Sequence, residues 1–343
     1  MTVAGRSSAL RFARRARWRA RVERDAAGAR RLRADLALFH DFAPAPAGGA
    51  HQSLRALVAE CVRRGVRVEN NRIPPTATAC LFNSFNFDAE RLELLARRVP
   101  GVRMVHRVGA VTTLYRGADD GTDARVGELN RTLAHATIAI SHATIAMYRE
   151  LGIELVDPRV IYNAVDPTVF HPVGRAPFSR NRKIRVICSS WSDNPRKGAP
   201  TYRWLEDHLD WDRFEFTFVG NTQTPFERID HVPPLPSHAL AELLRRHDIF
   251  ITATEHDAYS NALVEALSCG LPAIYLKSGG SGEAVKEAGF GFLDREEIPA
   301  LLERLVEEYE DRQARIDLPS VEEIADQYLD ALDLRKFVRA RKL

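Results

Sequence analysis

Cysteine is scarce in this chain: four in 343 residues, at Cys61, Cys80, Cys188 and Cys269, far apart. That excludes a disulfide framework and a cysteine-built metal knot. Three of the four sit in or beside apolar segments, so buried free thiols in a reducing compartment are expected. Long apolar runs are missing too; none approaches the ~20 residues that a membrane span needs. The first residues are rich in arginine but lack the apolar core of a secretory signal. There is no His-Glu-X-X-His string, no Walker loop and no six-position three-glycine fingerprint, which leaves a metal centre and a dinucleotide cofactor unsupported. No carboxylate pair in the first half suggests a double-displacement hydrolase. Net charge of one sign is small, at +3, and says little about partners.

What is present points to a large α/β protein. A chain of this length exceeds one ordinary hydrophobic core, so two domains are expected. Residues 1–34 form a basic extension with eleven arginines from Arg6 to Arg33 against only Glu23 and Asp25. A helix is plausible there, either lying on its own domain or attracted to an anionic membrane surface; no nucleic-acid module accompanies it. From residue 35 the pattern is strand, Gly-bearing loop (Gly48, Gly49), helix over Gln52–Arg64, strand: the opening of a Rossmann-like domain. Further strands are expected at Ala79–Phe82, Val102–Val108 and Ala136–Ser141, with a polar loop over 107–123. The first domain closes near residue 172, and residues 171–181, with their proline and glycine, read as a linker. A second Rossmann-like domain follows over 182–332, and a basic tail over 333–343. His106 falls near the end of a strand, where α/β folds place their ligands.

The stretch from Ile249 to Leu276 is the most informative. Ile249–Ile251 is apolar and strand-like, Thr252–Ser260 is polar, and Asn261–Ser268 is helical with Leu263 and Leu267 on one face. Gly270 and Pro272 stop that helix before the strand Ala273–Leu276. Asp257 and Glu265 stand eight positions apart around the helix start, where free N–H groups favour an anion. A turn of three glycines and Glu283 follow at residues 278–283. Earlier, Arg196-Lys197-Gly198 ends the loop after the strand Lys183–Cys188.

These strings resemble the GT-B glycosyltransferases of family 4. There, two acids eight apart precede an Ala-X-X-Cys/Ser-Gly-X-Pro turn; the first is usually Glu and here is Asp257. The string Asn163-Ala164-Val165-Asp166 resembles the segment closing the family's first domain, and the segment around His106 resembles a His-Arg-Val-Asp-Gly string of one subgroup. The resemblance implies two Rossmann-like domains facing each other across a cleft, with a last helix returning to the first domain. It implies a retaining transfer from a nucleotide diphosphate sugar to an acceptor hydroxyl, without cofactor, required metal or protein nucleophile. Lys197 is the expected diphosphate contact, with Arg196 beside it; Asp257 and His106 would meet the sugar and Glu265 the ribose. Ser260 and Asn261 would face the diphosphate, Gly48 and Gly49 would lie near it, and Gly279, Gly280 and Glu283 would approach nucleotide or sugar. The family's arginine five residues before the lysine is replaced by Ser192. The expected acceptor is a glycan, lipid or small molecule, and the expected place is the cytoplasm, with contact to the inner membrane face through residues 1–33. Two other readings remain open: a sugar-nucleotide or glycan-binding protein without turnover, and another GT-B enzyme such as a phosphorylase or epimerase.

Overall fold

The computed structural model describes residues 3–43 and 49–338. Two parallel six-stranded sheets account for most of the core. The first contains β1 (Leu36–Phe39), β2 (Val68–Asn70), β3 (Ala79–Asn83), β4 (Arg103–Val108), β5 (Ala136–Ala139) and β6 (Pro158–Val160), in the order β2-β1-β3-β4-β5-β6. The second contains β7 (Ile184–Ser190), β8 (Phe214–Gly220), β9 (Asp230–Val232), β10 (Ile249–Thr252), β11 (Ala273–Leu276) and β12 (Gly289–Phe292), in the order β12-β11-β10-β7-β8-β9. Helices cover both faces of each sheet. The central strands are therefore buried on both sides, which is why LALF, ACLFN and IFIT read as unbroken apolar runs rather than alternating ones.

Local pattern missed several elements. The expected loop over 107–123 holds a short helix α4 (Thr112–Arg116) and the start of α5 (Thr122–Leu133). Its organiser is Asp123, buried, whose carboxylate accepts from the backbone N–H groups of Thr112 (2.8 Å) and Thr113 (2.7 Å). That cap comes from ten residues downstream, beyond any local periodicity. β12 reads GFGF and its glycines disguise it; a Cβ on Gly289 would lie 1.8 Å from the Ala273 carbonyl oxygen. β9 is a three-residue edge strand, mostly exposed.

The basic extension forms a long helix, α1 (Val3–Ala29). Val22 is buried with Phe39, Phe82 and Leu92, and the Trp18 indole N–H donates to Asp88 (2.9 Å). Asp25 pairs with Arg91, and Glu23 with Arg98. Arg15, Arg17, Arg19, Arg21 and Arg24 are exposed. All four cysteines are free and buried. At the other end of the chain, α13 (Val321–Ala331) falls within the 182–332 range of the second domain yet packs on the first. Ile324, Tyr328 and Leu329 share a core with Leu36, Leu57 and Val105. The final residues 339–343 of the basic tail lie outside the described residues.

Candidate active site

In the second sheet the chain leaves β7 for β8 on one side and returns to β10 on the other. The crevice between the carboxyl ends of β7 and β10 is the place where such sheets bind ligands. The loop after β7 ends in a short turn, Pro195–Lys197, begun by Asn194, whose side chain accepts from the Arg196 N–H (3.0 Å). Gly198 follows with φ 98°, and a Cβ there would lie 2.8 Å from the Ala253 Cβ. That close approach sets the loop after β7 against the loop after β10. Lys197 Nζ and Asp257 Oδ2 are consequently 3.1 Å apart, a partly exposed ion pair, with the ammonium 5.8 Å from the centre of the Tyr115 ring. His256, one residue earlier, has φ 51°, outside the range most side chains prefer, and its N–H is held by Ser278 Oγ (2.8 Å).

The helix α9 (Asn261–Ser268) carries the second acid. Glu265 is buried, its carboxyl group has no hydrogen-bond partner among the described residues, and burial pushes its pKa up to about 8. Ser189 Oγ is likewise buried without a partner. Both line a cavity of ≈ 110 Å³ with Ser190, Trp191, Asn261 and, from the first domain, Gln52. Buried polar groups are normally paired. An unmatched carboxyl and an unmatched hydroxyl in one cavity fit a ligand that brings its own hydroxyls. Ser260 caps α9, accepting from the Leu263 N–H (3.4 Å), so its oxygen serves its own helix rather than facing the crevice freely.

Three expected site residues sit differently. His106 is not at the cleft. It is fully buried, stacked on Phe82 at 4.3 Å, with Nε2 donating to the Ser84 carbonyl (3.1 Å) and Nδ1 accepting from Asn130 Nδ2 (3.2 Å). Burial lowers its pKa to about 4, so it is a neutral core histidine with both nitrogens used. Glu283 does not face the nucleotide crevice. Its oxygens accept from the N–H groups of His142 (2.9 Å) and Ala143 (2.8 Å) and from the Tyr162 hydroxyl (3.2 Å). It caps α6 (His142–Glu150) of the first domain, matching a carboxylate to a helix N-terminus across the domain boundary. Arg196 is committed to the first domain as well, donating to the Leu114 carbonyl and lying against Gly117.

Gly279 and Gly280 serve the same junction. A Cβ on Gly279 would lie 2.1 Å from the Asp257 carbonyl oxygen, and one on Gly280 2.0 Å from that of Ala258 and 3.0 Å from Ser141 Oγ. Ser141 Oγ in turn donates to the Ala258 carbonyl (2.5 Å), Tyr259 stacks on Tyr162 at 4.9 Å, and Asn194 donates to the Tyr115 carbonyl (2.9 Å). The two domains therefore meet directly beside the Lys197–Asp257 pair. Gly49 opens α2 (Gly49–Arg63), while Gly48 lies outside the described residues.

Sequence reading also passed over a buried polar cluster at the carboxyl ends of β1, β3 and β4. Arg107, next to His106 on β4, is buried and donates to Asn83 Oδ1, to Asn163 Oδ1 (2.5 Å) and to the Tyr328 hydroxyl (3.1 Å). No carboxylate pairs with it among the described residues. His40 lies between Asn83 Nδ2 (3.2 Å) and His51 (2.9 Å). The available signal was the alternation of side chains along a strand: if one of two neighbours on β4 faces one layer, the other faces the opposite one.

Residues 226–319 match the family model described as glycosyl transferases group 1. No curated protein matches the chain by sequence. Among solved structures it is similar to sucrose-phosphate synthase from Thermosynechococcus elongatus, at 15% identity over 88% of this chain and 95% of that one, with a TM-score of 0.65. It is also similar to the Anabaena protein HepE in complex with UDP-glucose, at 15% identity over 88% and 96%, with a TM-score of 0.59. The catalytic domain of starch synthase IV from Arabidopsis thaliana, bound to ADP and acarbose, aligns at 13% identity over 89% and 99%, with a TM-score of 0.61. At such identities the structural likeness bears on fold, while the matched segment spans the α9 region and the loop before α10 (Ser281–Val285). Residues 226–319 are thus similar to the group 1 glycosyl transferases, and the chain as a whole has the GT-B fold.

Proposed function

We propose that this protein is a glycosyltransferase that moves a sugar from a nucleotide diphosphate sugar to an acceptor hydroxyl with retention of anomeric configuration. The observation that carries this reading is the unpaired, buried Glu265 and the unpaired Ser189 hydroxyl in one cavity, lined from the end of β7 and from α9. A ribose supplies two vicinal hydroxyls, which satisfy a carboxyl group and relieve the cost of burying it alone. In this reading Lys197, at the domain junction, meets the diphosphate that extends from that ribose. In the structure its charge is matched by Asp257; a diphosphate competes for the ammonium and frees Asp257 for sugar hydroxyls.

In the reaction the bond from the anomeric carbon to the diphosphate oxygen breaks, and its electron pair leaves with the diphosphate. The acceptor oxygen bonds to the same carbon from the same face and passes its proton to the departing phosphate oxygen. Lys197 stabilises the charge that develops there, which is where an oriented cation accelerates most. This reading assigns the electrostatic work to Lys197 and needs no metal and no protein nucleophile. UDP-glucose bound to HepE supports a uridine donor as the first to try. The arginines exposed on α1 support attraction to an anionic surface, where a lipid-borne acceptor is presented; among the described residues no helix is long and apolar enough to cross a membrane.

Two variants test the donor site. Lys197→Ala is expected to lower turnover by about a hundredfold. Glu265→Gln is expected to act mainly on nucleotide affinity, read by calorimetry with UDP and GDP. Unchanged turnover in the first and unchanged affinity in the second remove the assignment.

A further inference from the structure

We propose that His51 donates a hydrogen bond from Nε2 to an anionic oxygen of the substrate. Its tautomer is set by a one-way chain of hydrogen bonds that starts at Arg107 and runs through Asn83 and His40. The proposal rests on the glycosyltransferase reading and adds a contact from the opposite domain to it.

The direction of the chain follows from Arg107. A guanidinium only donates, so Asn83 must present its Oδ1 to Arg107 and turn its Nδ2 away. That Nδ2 meets His40 Nδ1 at 3.2 Å. An amide nitrogen only donates, so His40 Nδ1 is bare and the ring proton sits on Nε2. His40 Nε2–H then points at His51 Nδ1, 2.9 Å away. The Ala43 backbone N–H approaches the same His51 nitrogen at 3.4 Å, a second donor aimed at one lone pair. His51 Nδ1 is therefore bare, and Nε2 carries the proton. Each step leaves one choice, and the first donor can never lose its proton. The rings stay neutral at neutral pH: His40 is held at about 4, chiefly by burial and then by His51 and Arg107, and His51 is lowered by burial and then by Arg55.

The chain ends on the ligand side of the molecule. In the first sheet the strand order reverses between β1 and β3, so the carboxyl ends of those two strands flank its binding crevice. His40 follows β1, and Asn83 closes β3. His51 stands half-buried in the first turn of α2, and its Nε2 has no partner among the described residues. Its neighbour Gln52 reaches Ser237 of the second domain (3.2 Å) and lines the Glu265 cavity. Buried Arg107 has only neutral partners, and Arg55 lies 5.4 Å from the Phe42 ring centre nearby. The two guanidiniums favour an anionic oxygen over a neutral one at this end of the line. A phosphate meets that chemistry, either in the diphosphate of the donor or on a phosphate-bearing acceptor.

Nitrogen-15 NMR of the histidines in the intact protein reads the tautomers directly. The expected result is a proton on Nε2 and a bare Nδ1 in both His40 and His51. A proton on Nδ1 of either ring in the wild type overturns the proposal. Asn83→Asp replaces the donor to His40 by an acceptor, so both rings are expected to switch to Nδ1–H. His51→Leu removes the terminal donor from a half-buried position and serves even where Asn83→Asp does not fold. With UDP and GDP in calorimetry, about a tenfold loss of affinity in His51→Leu assigns the contact to the donor diphosphate. Unchanged UDP and GDP binding in His51→Leu, together with a shift of the wild-type His51 Nε2–H resonance on titration with inorganic phosphate, assigns it to a phosphate of the acceptor. No change with any of the three probes overturns the proposal. A wild type that binds neither UDP nor GDP removes the donor-site reading instead, and the phosphate titration still decides for His51.

Discussion

Glu265 is held in its cavity by the helix around it and by nothing polar, and its titration gives that a measurable consequence. Its folded pKa of about 8 stands above the ordinary value of 4.5. Between these values the folded protein holds a proton that the unfolded chain has lost. The stability this group contributes is therefore complete below pH 4.5 and is lost as pH rises through about 8. The loss is of order 4 kcal/mol. Glu265→Gln does not ionise. Urea midpoints at pH 5 and pH 8.5 are expected to fall less in the variant than in the wild type, by roughly that amount converted through the m-value. Equal falls in both proteins show that the carboxyl group is not buried uncharged. At the same scale, the loops after β7 and β10 that carry Lys197 and Asp257, and the helix that carries Glu265, were legible in the local pattern. His106 and Arg107 were not told apart, because the choice between neighbours depends on which layer covers which face of β4. Phe82 and Asn130 hold the first, while Asn83, Asn163 and Tyr328 hold the second.

Helix α1 combines two roles along one element. From Trp18 to Ala29 it covers the outer face of the first domain through Val22 and the Asp25–Arg91 pair. It also presents Arg15, Arg17, Arg19, Arg21 and Arg24 to solvent. Near an anionic lipid surface each arginine contributes about 1 kcal/mol. Replacing three of them, Arg15→Gln, Arg19→Gln and Arg21→Gln together, is expected to weaken binding to phosphatidylserine vesicles by roughly a hundredfold at low salt. The melting temperature should stay near that of the wild type, because these side chains are exposed. Co-sedimentation at two salt concentrations measures it, and equal binding by variant and wild type removes the membrane role. Removal of residues 1–30 is a different experiment, since it strips Val22 and Trp18 from the core and is expected to lower stability by a few kcal/mol.

At the level of the whole molecule, the return of α13 to the first domain connects the end of the chain to the polar cluster beneath the cleft. Tyr328 supplies one of the three acceptors around the buried Arg107. Tyr328→Phe leaves the ring in its core and removes that acceptor. The expected cost is about 1–3 kcal/mol, seen as a lower urea midpoint. A variant as stable as the wild type shows that Arg107 does not depend on the crossover helix. Glu283 makes a comparable tie in the other direction, from the second domain to the N-terminus of α6.

The sequence by itself determined the two doubly covered parallel sheets, because strands buried on both faces are written as short apolar runs bounded by glycine, proline and polar loops. It also determined the loops after β7 and β10 and the helix α9, because polar residues, glycine and proline mark their ends. The tertiary structure alone decided that Glu283 and Arg196 bind the first domain, that Ser260 serves its own helix and that His106 is core. It alone also decided that Arg107, Asn83, His40 and His51 form one hydrogen-bonded line. The physical reason is the range of the interactions involved. Periodicity and capping act over a few residues, whereas the Glu283–Ala143 hydrogen bond spans 140 positions and the Arg107–Tyr328 hydrogen bond spans 221. Such partners are chosen by the packing of whole domains, which no local pattern encodes.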